Sequence, residues 1–276
     1  MTENTRITTV IDADVNRPMA SLAELRLYRE LVWVMVQRDI KVRYKQTVLG
    51  LAWAIIQPVT MMLIFTVIFS RLAGIPSDGF PYPLFVFSGM LAWNFFSSSV
   101  STAGVSLVGS SNLVSKVYFP RIIVPLSSIG VGLIDFLVGT LVLLVMFVLY
   151  AQSLSLNLIL LPFFMAGLAL VSIGMGSWLA AVTVTYRDFR YVIPYMLQIW
   201  MYLTPVIYPV SFVPENWRWL LYLNPMFAWI NGIRACFLGQ EFDVTGIIVS
   251  LIMSLLIFVC GMLYFNKAQR RFADII

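Results

Sequence analysis

Histidine is absent from this chain of 276 residues. That removes the commonest metal ligand and the usual general base at neutral pH. Charge is scarce: Asp, Glu, Lys and Arg make up 11% of the residues, against roughly a quarter in a soluble domain. Cysteine occurs twice, as Cys236 and Cys260, far apart and in apolar surroundings, so no disulfide is expected. The chain has no GxxxxGK loop followed by Ser or Thr, so it cannot hold ATP by that route. HExxH, CxxC and GxSxG are also missing. One Asp-x-Asp pair exists, Asp12 and Asp14, but in a polar leading segment where it reads as solvated charge. A metal-dependent glycosyltransferase would want such a pair in a cytoplasmic fold, and the sequence encodes no separate soluble domain.

Hydrophobic residues make up 60% of the chain. No charge occurs between Lys45 and Arg71, Asp78 and Lys116, Asp135 and Arg187, Arg190 and Glu215, or Asp243 and Lys267. About 20 apolar residues of helix cross a bilayer core, and each gap holds at least that many. In lipid the backbone must satisfy itself, which leaves helices or closed barrels. These runs are too long and too uniformly apolar for barrel strands of about ten residues. The expected fold is an all-α integral membrane protein, with six spans near 50–71, 82–104, 122–150, 157–184, 191–211 and 244–265. Of the 18 Lys and Arg, all but Arg71, Arg218 and Arg234 fall on one side of that topology. The positive-inside rule then puts both termini in the cytoplasm. The net charge of +5 is topology, and no nucleic-acid partner is expected. The first 45 residues are polar and the first apolar run is span-length, so no cleaved signal is expected.

Residues 1–20 read as a tail, 21–270 as a single membrane domain and 271–276 as a cytoplasmic tail. Ser21 and Glu24 fit a capping box at the start of a helix over 21–45. Leu25, Tyr28, Val32, Met35 and Val36 share one face of it. That face suits a membrane surface, or the protein's own cytoplasmic side. Between spans five and six, 214–223 and 225–238 are apolar, begin with proline and are too short to cross. They predict short re-entrant outer helices, with Trp217, Trp219 and Trp229 as an outer gate or as an interfacial aromatic belt. Asp135 is the one ionisable residue well inside a span. It is either a proton or substrate contact or a helix–helix hydrogen bond, and a lone acid without a relay argues against a proton-driven carrier. Tyr191, Tyr195, Gln198 and Tyr202 recur at helical spacing in span five; Trp53, Gln57 and Thr60 do so in span one, and Asn94, Ser98 and Ser101 in span two. Lipid does not reward such stripes. They suit stacking and hydrogen bonding to sugar rings, or ordinary bundle packing with tyrosines at the interface.

Several stretches carry a resemblance: RDIKVRYKQTVLG at 38–50, LAWAIIQP at 51–58, NLVSKVYFPR at 112–121, YRDFRYVIPYMLQIWMYLTPVIYP at 186–209 and LNPMFAWINGIR at 223–234. In order and spacing they resemble the permease subunits of type-2 ABC exporters, in the branch that exports bacterial O-antigen, capsule and teichoic acid. The resemblance covers roughly residues 22–270. It implies a bacterial inner-membrane protein, not itself an enzyme, that pairs with a second copy of itself and two copies of an ABC ATPase. ATP and Mg would then sit on the ATPase, and this chain would bind no cofactor. It implies a glycan carried on undecaprenyl diphosphate, with membrane lipid around the channel. It also implies an ATPase-coupling helix around Asn112, Lys116, Val117, Tyr118, Phe119 and Arg121, and a channel lined by spans one and five.

Arg38, Lys41, Arg43 and Lys45 lie on the approach to span one, where a lipid diphosphate is expected; each cation near an anionic surface contributes about 1 kcal/mol. Plain positive-inside anchoring and attraction to lipid headgroups account for any one of them without that role. Two other functions remain open at this point. One is a type-2 exporter of a small molecule or drug. The other is a membrane enzyme of polyprenyl-glycan metabolism, for which only Asp39 and Asp188 lie near the cytoplasmic edge.

Overall fold

A computed structural model describes residues 26–44 and 50–272. The expected tail 1–20, the Ser21–Glu24 capping box, Leu25, Lys45 and residues 273–276 lie outside the described residues. Among the described residues there is no strand. The helices are α1 (Arg29–Tyr44), α2 (Trp53–Phe65, continued by a π-helical Thr66–Leu72), α3 (Tyr82–Gly109), α4 (Ser111–Lys116) and α5 (Ile123–Leu149). They are followed by α6 (Leu161–Thr185), α7 (Phe189–Leu203), α8 (Arg218–Tyr222), α9 (Phe227–Leu238) and α10 (Val244–Ala268).

Five of these are long and apolar enough to cross a membrane: α2 with its extension, α3, α5, α6 with the turn before it, and α10. They match expected spans one, two, three, four and six. Span five differs. Helix α7 has 15 residues, or about 22 Å at 1.5 Å per residue, short of a hydrocarbon core of about 30 Å. The expected 191–211 helix stops because Pro205 biases the residue before it towards extended backbone, and Thr204 sits at φ −104°, ψ 140°. Pro205 and Pro209 then have no N–H with which to continue a helix. The chain goes on through 204–209 as turns that are almost wholly buried.

The central helix is α3, against which α2, α5, α6, α7 and α9 pack. Nearly every residue from Tyr82 to Phe96 is buried. Helix α2 is the reverse: only Met62 and Phe65 are buried, and Ile55, Ile56, Leu63, Ile64, Val67 and Ile68 are exposed. Helices α6 and α10 touch backbone to backbone. A Cβ on Gly261 would lie 2.2 Å from the Gly174 carbonyl oxygen, so only glycine allows that approach.

At the basic end one apolar cluster gathers Met35 of α1, Leu107 of α3, Val114 of α4, Phe119, Ile122, Ala180 of α6, and Phe265 and Phe272. The α1 face carrying Val32 and Met35, with Tyr28 just before the helix, closes on this cluster, so the protein's own side receives it. Away from that face, Trp33 and Val34 of α1 are exposed. At the other end, the stretches expected at 214–223 and 225–238 form α8 and α9. Helix α9 is buried along nearly its whole length and ends at Gly239, whose φ of +73° is the left-handed cap that glycine favours. Asp243 caps α10 by accepting from the Gly246 amide at 2.9 Å. Burial first, then the Asp243 carboxylate, raises the Tyr222 phenol above its ordinary pKa.

Candidate functional site

A cavity of about 930 Å³ opens between α2, α3, α5 and α7, with the last turn of α1 at its basic end. That is near the top of the ~300–1,000 Å³ range of ligand pockets. Trp53 and Gln57 come from α2, Asn94, Ser97, Ser98 and Ser101 from α3, Asp135 from α5, and Gln198 and Tyr202 from α7. Helical periodicity explains the convergence, since residues three and four apart share a face. Farther from the basic end the lining turns apolar, with Met61, Phe65, Phe87, Met90 and Phe136. The site thus combines amides and hydroxyls with aromatic surface. It can hydrogen-bond and stack a polar, ring-bearing ligand without demanding a single sequence of groups.

Of the expected channel residues, Trp53, Gln57, Asn94, Ser98, Gln198 and Tyr202 line this cavity, whereas Thr60, Tyr191 and Tyr195 do not. Tyr191 and Tyr195 are 69% and 67% exposed on the outer face of α7, whose inner face is held by Ile193 and Leu197. They form an open aromatic stripe beside the cavity.

Asp135 is not alone. Its Oδ2 lies 3.0 Å from Nη2 of Arg43, and its Oδ1 accepts from the Tyr44 hydroxyl. Nη1 of Arg43 donates to Ser98 at 2.9 Å. The acid therefore makes a helix–helix hydrogen bond, to α1, and it also lines the cavity. Arg38 pairs with Asp39 at 2.8 Å, and Asp39 also accepts from Ser127 at 3.1 Å. Lys41 is exposed. The expected approach cations thus divide into two that hold α1 to the spans, one that is exposed, and Lys45 outside the described residues.

The expected coupling segment divides too. Asn112, Lys116, Val117 and Tyr118 are exposed, Tyr118 by 70%. Phe119 is buried in the basic-end cluster. Arg121 donates to the Gln269 carbonyl and lies 6.0 Å from the Phe272 ring centre, so it ties this loop to the last helix.

The three outer tryptophans are not one group. Trp217 and Trp219 are exposed, whereas Trp229 is fully buried, donates to Ser254 at 2.9 Å and packs edge-on against Phe163 and Phe164. Trp229 is a packing residue of the α6–α9–α10 core.

Arg234, read from the sequence only as an outer-face charge, is 1% exposed. Nη2 donates to the carbonyls of Pro205 and Val206 at 3.0 and 2.8 Å, and Nη1 to Asn231 at 3.0 Å. The guanidinium lies 3.9 Å above the Phe85 ring. It satisfies the carbonyls that the prolines strand after α7, and it joins α9 to that break. The signal was present: one arginine inside an otherwise apolar run, three residues after Asn231.

The chain matches the ABC-2 type transporter family over residues 30–238. It is 30% identical over 256 residues to an O-antigen export system permease protein of Myxococcus xanthus, across 91% of this chain and 97% of that protein. It is 26% identical over 248 residues to an O-antigen export system permease protein of Klebsiella pneumoniae, across 90% of this chain and 95% of that one. A polysialic acid transport protein of Escherichia coli is 25% identical over 195 residues, 68% of this chain and 74% of its own length. With a family match across most of its length and relatives covered almost end to end, this chain belongs to the ABC-2 type transporters.

Proposed function

We propose that this chain is the membrane subunit of an ATP-driven exporter that moves a polysaccharide, linked to undecaprenyl diphosphate, from the cytoplasmic to the outer face of the bacterial inner membrane. The observation that carries the proposal is the cavity lined by Trp53, Gln57, Asn94, Gln198 and Tyr202, whose aromatic and amide groups suit sugar rings. The O-antigen and polysialic acid proteins to which the chain is similar support the same cargo class. Two copies pair through the exposed flanks of α2 and α7, and the tyrosine stripe of α7 then faces a shared channel. Both termini are cytoplasmic, as the basic end argues. Two copies of a separate ATPase bind ATP and Mg and dock on the exposed part of 112–118. Trp217 and Trp219, on short helices that re-enter the outer leaflet, gate the exit.

The test is where the glycan lies after this protein is depleted. Full-length, lipid-linked polymer trapped inside the cell is the expected result. Unchanged surface polymer refutes the cargo assignment, and loss of all polymer, inside and out, refutes export in favour of an enzyme of glycan assembly.

A further inference from the structure

Asp135 lies twelve residues into α5, so it is about 18 Å along that helix from its basic end. A carboxylate at such depth is costly without a partner. Its partners come from the last turn of α1, and the ion pair it makes is only partly enclosed, with side-chain exposures of 15% for Asp135 and 40% for Arg43. Arg43, Tyr44, Ser98 and Asp135 all line the cavity. Arginine on a flexible stem snorkels towards water unless something holds it. Here the acid and Ser98 hold the guanidinium against the cavity wall. The fork carries five N–H donors and matches phosphate oxygens two at a time. Asp135 at Nη2 and Ser98 at Nη1 each engage one N–H of this five-donor fork.

We propose that Asp135 is an internal stand-in for phosphate: a positioning residue that keeps Arg43 in the cavity and is displaced from it by the phosphate group of an incoming lipid headgroup. Exchanging one anion for another keeps Arg43 neutralised throughout, so the exchange is open to an anionic headgroup and closed to a neutral one. Tyr44 remains as a donor to the released carboxylate, so the acid is not stranded. Losing the Arg43 contact leaves Tyr44 as the tie between the last turn of α1 and Asp135, which loosens that end of the helix when a headgroup arrives. The inference rests on the proposed lipid-linked cargo and names the group that selects its headgroup.

The test titrates undecaprenyl diphosphate, undecaprenol and inorganic pyrophosphate into the full chain with its ATPase in neutral-detergent micelles, read by the fluorescence of cavity-lining Trp53 against a Trp53→Phe control. Asp135→Asn keeps an acceptor for Tyr44 but removes the competing charge. It should tighten undecaprenyl diphosphate binding by about fivefold, the upper range for a partly exposed ion pair. Arg43→Gln should reduce binding to the level of undecaprenol, and Arg43→Lys, which keeps charge without the fork, should fall between. A merely structural Asp135 gives unchanged or weaker binding in Asp135→Asn at unaltered melting temperature, and that result overturns the proposal. Equal binding by undecaprenol and the diphosphate overturns it as well. Competition by pyrophosphate alone supports recognition of the phosphate itself, and competition only by the lipid supports recognition of the whole headgroup and chain. The glycan reading fails separately: if depletion leaves surface polymer unchanged while Asp135→Asn still tightens pyrophosphate, the stand-in holds and the cargo is another phosphate-bearing molecule.

Discussion

Replacing Arg234 by methionine removes the one donor that serves both carbonyls beyond α7. Each buried acceptor left unpaired costs about 1–3 kcal/mol, and losing the stack on Phe85 costs about 2 kcal/mol more. Against this, about 3 kcal/mol is recovered because a charge no longer has to be buried at membrane depth. The net loss is about 1–5 kcal/mol. Gly89 supplies the control. A Cβ there would sit 2.3 Å from Nη2 of Arg234 and 2.8 Å from the Val206 carbonyl oxygen, so Gly89→Ala should also destabilise. In the Arg234→Met background the closer clash is gone, and Gly89→Ala should cost at least about 0.5 kcal/mol less than it does alone. The two cysteines provide the readout, because Cys236 is buried and Cys260 is exposed. In a Cys260→Ala background, a fluorogenic maleimide reports the melting transition as Cys236 comes free. Additive effects of the two substitutions, or no loss in Arg234→Met, would refute the view that this arginine closes the break in span five.

Tyr195→Ala combined with Tyr202→Ala should lower polymer export several-fold while leaving assembly with the ATPase intact; normal surface polymer from the assembled double variant would remove α7 from the channel. At the basic end, Lys116→Glu should weaken capture of the ATPase in a detergent pull-down, whereas Arg121→Gln should lower the melting temperature of the isolated chain. Equal effects of both variants on both measurements would contradict the division between exposed Lys116 and inward-turned Arg121.

Hydropathy made the long helices legible, because charge-free runs such as 136–186 leave a chain in lipid little choice. It could not see that 204–209 is not helix, since Val206 and Ile207 are as apolar as any helical residue and only the prolines mark the break. Most residues of the stripes on α2, α3 and α7 line one cavity, because a period of 3.6 residues fixes which side chains share a face. Tyr191 and Tyr195 share their stripe with Gln198 and Tyr202, yet the cavity reaches only the latter two. What no periodicity encodes is pairing over distance. Asp135 looked solitary because Tyr44 is 91 residues away in the chain, and Trp229 looked like its exposed neighbours because burial is decided by α6 and α10.

That separation of 91 residues has a consequence for how the protein is made. At about 5–20 residues per second, several seconds pass between the emergence of Tyr44 and that of Asp135. During that interval Ser98 of α3 is available to Arg43, but the last turn of α1 lacks its acid partner. The third span must then enter the bilayer with its acid bare, which its many Leu, Ile, Val and Phe residues can carry at about −0.3 to −0.6 kcal/mol each. Docking of α1 onto a finished pair of spans is thus a late event of synthesis, and a chain arrested before α5 would lack the surface that seats its own amino-terminal helix.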